Sequence, residues 1–284
     1  MPDTVLAGCY VISLRPAGQH AALRRAAARH GARLLALSPW TLAARDDAAT
    51  RADLAAALAC TRIVVTSPAA VRAAVALQPL HAAHGQAWFA VGAATARALR
   101  RAGVAGVMSP AGGEFAPPDG ERRDADASRR MDSEGLLALP GLHGVQATPI
   151  GLLTAPGGRG AIERVLQARG ARLLRADVYT RSPLAINRRA LASLRALQAS
   201  AWLALSSGDA LACTLAQLPD DAAARLRTAR VAAASPRLAE LADSLGFTGV
   251  VVAASAQPRD LVAAMVRGAS ASMRGIADAT GPTA

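Results

Sequence analysis

The chain has 284 residues, of which 32 are basic and 20 acidic, for a formal net charge of +12; 52% are hydrophobic and only 3% aromatic. The length suggests roughly two domains. All the basic residues are arginines scattered in blocks of at most two. With so few rings for base stacking, this argues against a nucleic-acid platform; the arginine content reflects either biased codon usage or a field that attracts a polyanionic small molecule.

Cys9, Cys60 and Cys213 show no C-x-x-C spacing, a sparse odd set that suits a reducing compartment better than a disulfide framework. Leu6-Ala7-Gly8-Cys9 mimics a lipoprotein cleavage box, but Met1–Val5 carries Asp3 and no positive charge or apolar core. No run reaches the ~18 apolar residues of a membrane span. The expectation is a soluble, cytoplasmic protein.

Short apolar runs alternate with amphipathic stretches, the pattern of a parallel α/β sheet. In chain order, Tyr10–Leu14 predicts a strand, Gln19–His30 a helix closed by Gly31, and Arg33–Leu37 the next strand. Ser38-Pro39-Trp40 is extended. Thr61–Thr66 is a strand feeding a helix at Pro68–Leu77, with Ser67 as N-cap and Pro68 where a missing N–H costs nothing. Ala87–Val91 and Ala93–Arg101 form another strand–helix pair. Ser109–Met131, rich in Gly, Pro and charge, reads as an exposed mobile loop, and Ser133–Leu139 resumes helix behind Asp132 or Ser133 as cap.

The second half repeats the programme: Gly151–Thr154, a Pro-Gly-Gly turn, Gly160–Ala168, then extended Arg172–Tyr179 and helical Asn187–Leu197. Ala201–Leu205 leads into Gly208–Leu215, and Arg230–Ala234 into Pro236–Leu245 with Ser235 as cap. Gly249–Val252 and Pro258–Arg267 close the fold before a frayed tail. The two halves echo each other: Gly31–Leu35 is identical to Gly170–Leu174, Ile63–Ser67 matches Trp202–Ser207, and Ala87–Gly103 matches Arg230–Gly246. Such a repeat predicts two similar lobes with a cleft between them.

Familiar catalytic signatures are missing. Gly157-Gly158-Arg159-Gly160 lacks the Gly-Lys-Ser/Thr of a phosphate loop, and no G-x-G-x-x-G follows the first strand. His81 and His84 have no cysteine or carboxylate near them in sequence that would complete a metal set. No nucleophile elbow appears. What remains is a series of hydroxyl and glycine residues at strand-to-helix turns: Thr66-Ser67, Gly92 with Thr95, Gly157-Gly158, Ser206-Ser207 and Ser235. Ligands of open α/β sheets bind at such turns, where free N–H groups and the helix dipole receive anions, although Ser and Thr also cap helices everywhere. Tyr179 stands out in the extended Asp177–Pro183 segment, either as a packing ring or as a proton donor. A phenol of ordinary pKa, near 10, gives a proton more readily than it takes one at neutral pH.

The landmarks Leu14-Arg15-Pro16, Val65-Thr66-Ser67-Pro68, Val91-Gly92-Ala93-Ala94-Thr95, Asp132-Ser133-Glu134-Gly135-Leu136-Leu137, Gly170-Ala171 with Val178-Tyr179, and Leu205-Ser206-Ser207 come in an order and spacing that resembles the uroporphyrinogen-III synthase family over about residues 10–267. The resemblance implies two flavodoxin-like, doubly wound parallel-sheet lobes. Lobe one would be 1–37 with 183–268 and lobe two 45–176, joined by a two-stranded linker of 38–44 and 177–182, with 269–284 a flexible tail. It implies cyclisation of the linear tetrapyrrole hydroxymethylbilane to uroporphyrinogen III, with loss of water, inversion of the last ring and no cofactor. Tyr179 would assist departure of the ring-A hydroxyl. Arg15, Thr66, Ser67, Gly92, Thr95, Gly157, Gly158, Ser206, Ser207 and Ser235 would hold the substrate's carboxylate arms.

One position departs from the family pattern: Leu238 stands where a threonine is common. The partners expected are the polycarboxylate tetrapyrrole and, transiently, the preceding bilane-making enzyme, with no nucleic acid, no membrane and a monomeric state. A rival reading stays open at this point: a bilobed binder of a small polyanion without chemistry, or a degenerate synthase-like domain that docks a partner.

Overall fold

The computed structural model describes residues 4–110, 133–157 and 160–279. In chain order the elements begin with β1 (Tyr10–Ser13), α1 (Ala21–Ala28), β2 (Arg33–Ala36), β3 (Trp40–Ala44) and α2 (Ala48–Leu58). There follow β4 (Arg62–Val65), α3 (Pro68–Leu77), β5 (Ala87–Ala90), α4 (Ala93–Arg101) and α5 (Ser133–Leu137). Next come β6 (Pro149–Thr154), α6 (Ala161–Ala168), β7 (Arg172–Asp177), β8 (Tyr179–Pro183) and α7 (Arg188–Arg195). Last are β9 (Ala201–Leu205), α8 (Gly208–Gln217), α9 (Asp220–Arg227), β10 (Arg230–Ala233), α10 (Pro236–Ser244), β11 (Val250–Val252) and α11 (Pro258–Ala279).

The chain divides into two units, Met1–Thr41 with Pro183–Ala284, and Leu42–Ser182. In the first, five parallel strands run in the order β11-β10-β9-β1-β2. Counted by sequence within the unit, this is the 2-1-3-4-5 order of doubly wound folds, with the switch point between β1 and β9. Consecutive residues of β1 serve opposite faces, as the two-residue period of a strand requires. Val11 packs with Leu23, Trp202 and Met265 under α1 and α11, and Ile12 packs with Leu194, Leu211 and Leu226 under α7, α8 and α9.

The second unit has the order β5-β4-β6-β7, all parallel, with its switch point between β4 and β6. Leu54, Ala70, Leu77 and Leu99 of α2, α3 and α4 cover one face, and Leu136, Ile162 and Leu166 of α5 and α6 cover the other. Helix α2 seats directly on β6: a Cβ built on Gly151 would lie 2.1 Å from the Ala57 carbonyl oxygen, so only glycine fits. Strand β3 pairs with β8 in a separate two-stranded sheet, and the unit boundaries fall within these two strands.

The internal repeat is now physical. Strands β4 and β5 correspond to β9 and β10, and β6 and β7 to β1 and β2. Even the fifth strand has a remnant in the second unit: the bridge Phe89–Met108 sits 143 residues before the β10–β11 pair Ala232–Val251.

Several expectations need correction. Helices α2 and α9 and a short 3₁₀ turn at Pro140–Leu142 are additional to the elements predicted from sequence. The stretch from 269 to 279, expected as tail, continues α11, because its Ala-rich composition favours helix. Residues 280–284 lie outside the described residues. So do the expected loop from residue 111 onward, Asp132 as a cap, and Gly158.

Candidate functional site

In a parallel sheet every strand ends on the same edge, so each unit gathers its post-strand turns along one side. In the second unit Thr66-Ser67 follows β4, Gly92 follows β5 and Pro156-Gly157 follows β6. The Thr66 hydroxyl spans the switch point, 3.0 Å from Thr154 Oγ1 and 3.3 Å from the Leu153 carbonyl oxygen. Ser67 is the N-cap of α3, and its Oγ accepts from the Ala70 N–H at 3.1 Å. The same Oγ lies 3.2 Å from the phenol oxygen of Tyr179. Tyr179, 6% exposed, packs its ring into the core below α3.

Gly92 caps α4 through its backbone alone; its carbonyl accepts the Thr95 and Ala96 N–H groups. The N–H groups of Ala93 and Ala94, at the first positions of the helix, have no acceptor within it. Thr95 is buried. Gly157 has φ +78° with open space where a side chain would stand. The turn it occupies is braced by Arg175, which donates to the Ala155 carbonyl at 3.0 Å while pairing with Asp177 and Glu163. Burial alone would lower the Arg175 pKa, but these two carboxylates outweigh it and the cation is held more firmly than usual.

In the first unit Arg15 follows β1 and Ser206-Ser207 follow β9, so these residues flank the switch point. The Arg15 guanidinium donates to the Ala256 carbonyl at 3.0 Å and has no carboxylate partner among the described residues. Burial lowers its pKa below the ordinary arginine value, the mark of a cation partly withdrawn from water. Ser207 caps α8 as Ser67 caps α3, its Oγ 3.3 Å from the Ala210 N–H. Among the described residues the Ser206 and Ser235 hydroxyls have no protein partner. Ser235 is therefore the N-cap of α10 by position, but its hydroxyl does not cap: its carbonyl alone receives the Leu238 and Ala239 N–H groups.

Leu238 occupies the third residue of α10, where α4 has Thr95, and its side chain is buried in the core. This turn thus offers no threonine hydroxyl. A cavity of about 510 Å³ in the first unit, lined by Tyr10, Arg33, Leu35 and Leu197, opens at the amino ends of β1 and β2, away from all these turns.

One residue absent from the sequence reading stands beside Arg15. His20, the N-cap of α1, is buried between two serines, with Nδ1 2.9 Å from Ser13 Oγ and Nε2 2.8 Å from Ser38 Oγ. Burial first, then the charges of Arg24 and Arg15, hold the imidazole below its ordinary pKa of 6.5. Its only sequence signal is a histidine before an alanine-rich helix, which is too common to single out.

Among the described residues no three His, Cys, Asp or Glu side chains gather as metal ligands would, and no helix is long and apolar enough to cross a membrane. Two solved structures share the fold. One is a mutant uroporphyrinogen III synthase from the extremely thermophilic bacterium Thermus thermophilus, at 16% identity, covering 93% of this chain and 99% of that one with a TM-score of 0.55. The other is a uroporphyrinogen-III synthetase from Helicobacter pylori, at 11% identity, covering 91% and 98% with a TM-score of 0.51. No curated protein matches at a meaningful level. The family model described as uroporphyrinogen-III synthase HemD matches residues 21–263, nearly the whole of both sheets, and on that extent the chain belongs to the uroporphyrinogen-III synthase family.

Proposed function

We propose that the chain closes hydroxymethylbilane to uroporphyrinogen III, a lyase reaction of porphyrin and haem biosynthesis, with the post-strand turns of each unit receiving the substrate's carboxylates. The family acts on a tetrapyrrole. The observation that carries the assignment of roles is the setting of both switch points. Each is bordered by hydroxyls and helix-first-turn N–H groups, and the first unit adds Arg15, a cation without a carboxylate partner among the described residues. Carboxylates of glutamate-like pKa are ionised at pH 7, and such donors hold them without bringing in a competing charge.

Arg15, Ser206, Ser207 and Ser235 would bind arms on the first unit; Thr66, Gly92, Gly157 and Gly158 would do so on the second. Thr95 would act by shaping the Gly92 turn, since its side chain is buried. The chemical problem is largely geometric. An activated bilane closes head to tail unless held bent, so orientation supplies much of the control, and well-placed groups can be worth roughly 7–11 kcal/mol. Tyr179 would donate a proton or hydrogen bond to the departing ring-A hydroxyl.

The test is to supply enzymatically made hydroxymethylbilane and separate the product isomers. Isomer III is expected to dominate; accumulation of isomer I alone rejects the assignment. Within the same assay Tyr179→Phe is expected to slow turnover by about 10²-fold, the low end of general-acid contributions, with an unchanged far-UV circular dichroism spectrum. Full turnover by this variant reduces Tyr179 to a packing residue.

A further inference from the structure

The internal repeat supplies a control within one chain. Ser67 and Ser207 are equivalent caps, each accepting the N–H of the third helical residue, Ala70 and Ala210 respectively. Ser67 alone has a second partner, the Tyr179 phenol at 3.2 Å. Capping a helix does not require that contact. It joins the one group proposed to give up a proton to a hydroxyl already held at the positive end of a helix.

From this geometry, and resting on the reading of Tyr179 as proton donor, we infer that Ser67 is a positioning residue for the Tyr179 phenol rather than a carboxylate ligand. Before reaction the phenol can rest its proton on Ser67 Oγ, which has lone pairs for both the phenol and the Ala70 N–H. When the bilane is in place, the phenol O–H turns to the ring-A hydroxymethyl oxygen. The C–O bond breaks with its electron pair leaving on oxygen, the phenol proton joins that oxygen, and water departs. The carbon fragment's positive charge spreads onto the pyrrole nitrogen, and the phenol oxygen is left negative.

At that moment the Ser67 hydroxyl rotates and donates to the phenolate. The Ala70 N–H holds Ser67 Oγ in place and polarises it, and the amino end of α3 favours the negative charge nearby. The hydrogen bond becomes charge-assisted only as the proton leaves, so it stabilises the transition state more than the ground state. The proton released when the macrocycle closes returns to the phenolate, leaving the site as it began.

The test is a double-mutant cycle on hydroxymethylbilane turnover with Ser67→Gly, Ser67→Thr, Tyr179→Phe and the double variant Ser67→Gly with Tyr179→Phe. Glycine is chosen because it serves nearly as well as serine at an N-cap, so the helix is kept while the hydroxyl is removed. Ser207→Gly measures, by melting temperature, what the same change does at a cap without a phenol. Ser67→Gly is expected to lower kcat about 10- to 100-fold, the size of a hydrogen bond to a charged group, with KM within about twofold of the parent.

Ser67→Thr is expected to recover most of the turnover, and the double variant to be no slower than Tyr179→Phe alone. Multiplying losses in the double variant, or a raised KM with kcat intact, overturns the inference and returns Ser67 to substrate binding while leaving Tyr179 as donor. Full turnover by Tyr179→Phe removes the donor itself and the inference with it. If Ser67→Gly fails to fold, Ser67→Thr and Ser67→Asn carry the cycle. Asparagine keeps the cap, and wild-type kcat with Ser67→Asn in place counts against a role for the hydroxyl.

Discussion

At the scale of single residues, the sequence shows where a side chain stands but not where its polar end points. Ser67 and Ser235 both precede proline at a strand end and carry the same capping signal, yet only Ser67 uses its hydroxyl to cap. His20 was invisible for a related reason: its partners Ser13 and Ser38 are brought to it by two different strand ends. The burial of this imidazole has a consequence in pH. Its folded pKa lies below 6.5, so the folded chain binds fewer protons than the unfolded chain just under that value. The stabilising contribution is therefore full above 6.5, declines as pH falls through 6.5, and is lost once the folded imidazole protonates. Urea midpoints of the wild type and His20→Asn, compared from about pH 8 to about pH 5, are expected to converge on acidification. A constant gap would show that His20 is not held neutral by the fold.

At the scale of elements, legibility followed contrast. Strands bounded by turn residues and helices opened by Ser-Pro were found almost to the residue, as Pro68–Leu77 shows. Helix α2 was missed because alanine fills both its buried and its exposed positions, so no apolar stripe stands out, and α9 because it is only eight residues long with a single leucine to mark its buried face. Helix α2 is nonetheless tightly specified, by the strand it covers. Gly151 in β6 faces the Ala57 carbonyl with no room for a methyl group, and the obstacle is backbone that cannot rotate away. Gly151→Ala is expected to destabilise the protein by about 3 kcal/mol or more, the upper end for overpacking, as a fall in the denaturant midpoint. A neutral result would mean that α2 does not seat on β6.

At the scale of the molecule, the repeat was legible because insertions between corresponding segments are short, and the two sheets carry it down to the Phe89–Met108 bridge. The site was legible only as a set of turns; Arg175 and His20 are recruited through space and leave no local pattern. The net charge of +12 belongs to this scale too. A cationic surface that draws in a polycarboxylate is screened by salt. The KM for the bilane is therefore expected to rise with ionic strength at constant kcat, and a flat KM would assign recognition to the neutral donors alone.

The division of the chain carries a last consequence. Residues Leu42–Ser182 are inserted within the other unit, whose central strand β1 needs both β2 and β9 as neighbours. As the polypeptide leaves the ribosome, the inserted body has all its strands before β9 exists. It can fold as a unit first, in the usual amino-to-carboxyl order of synthesis. Meanwhile one side of β1 presents bare amides and carbonyls, an open edge prone to mispairing, until translation reaches Ala201.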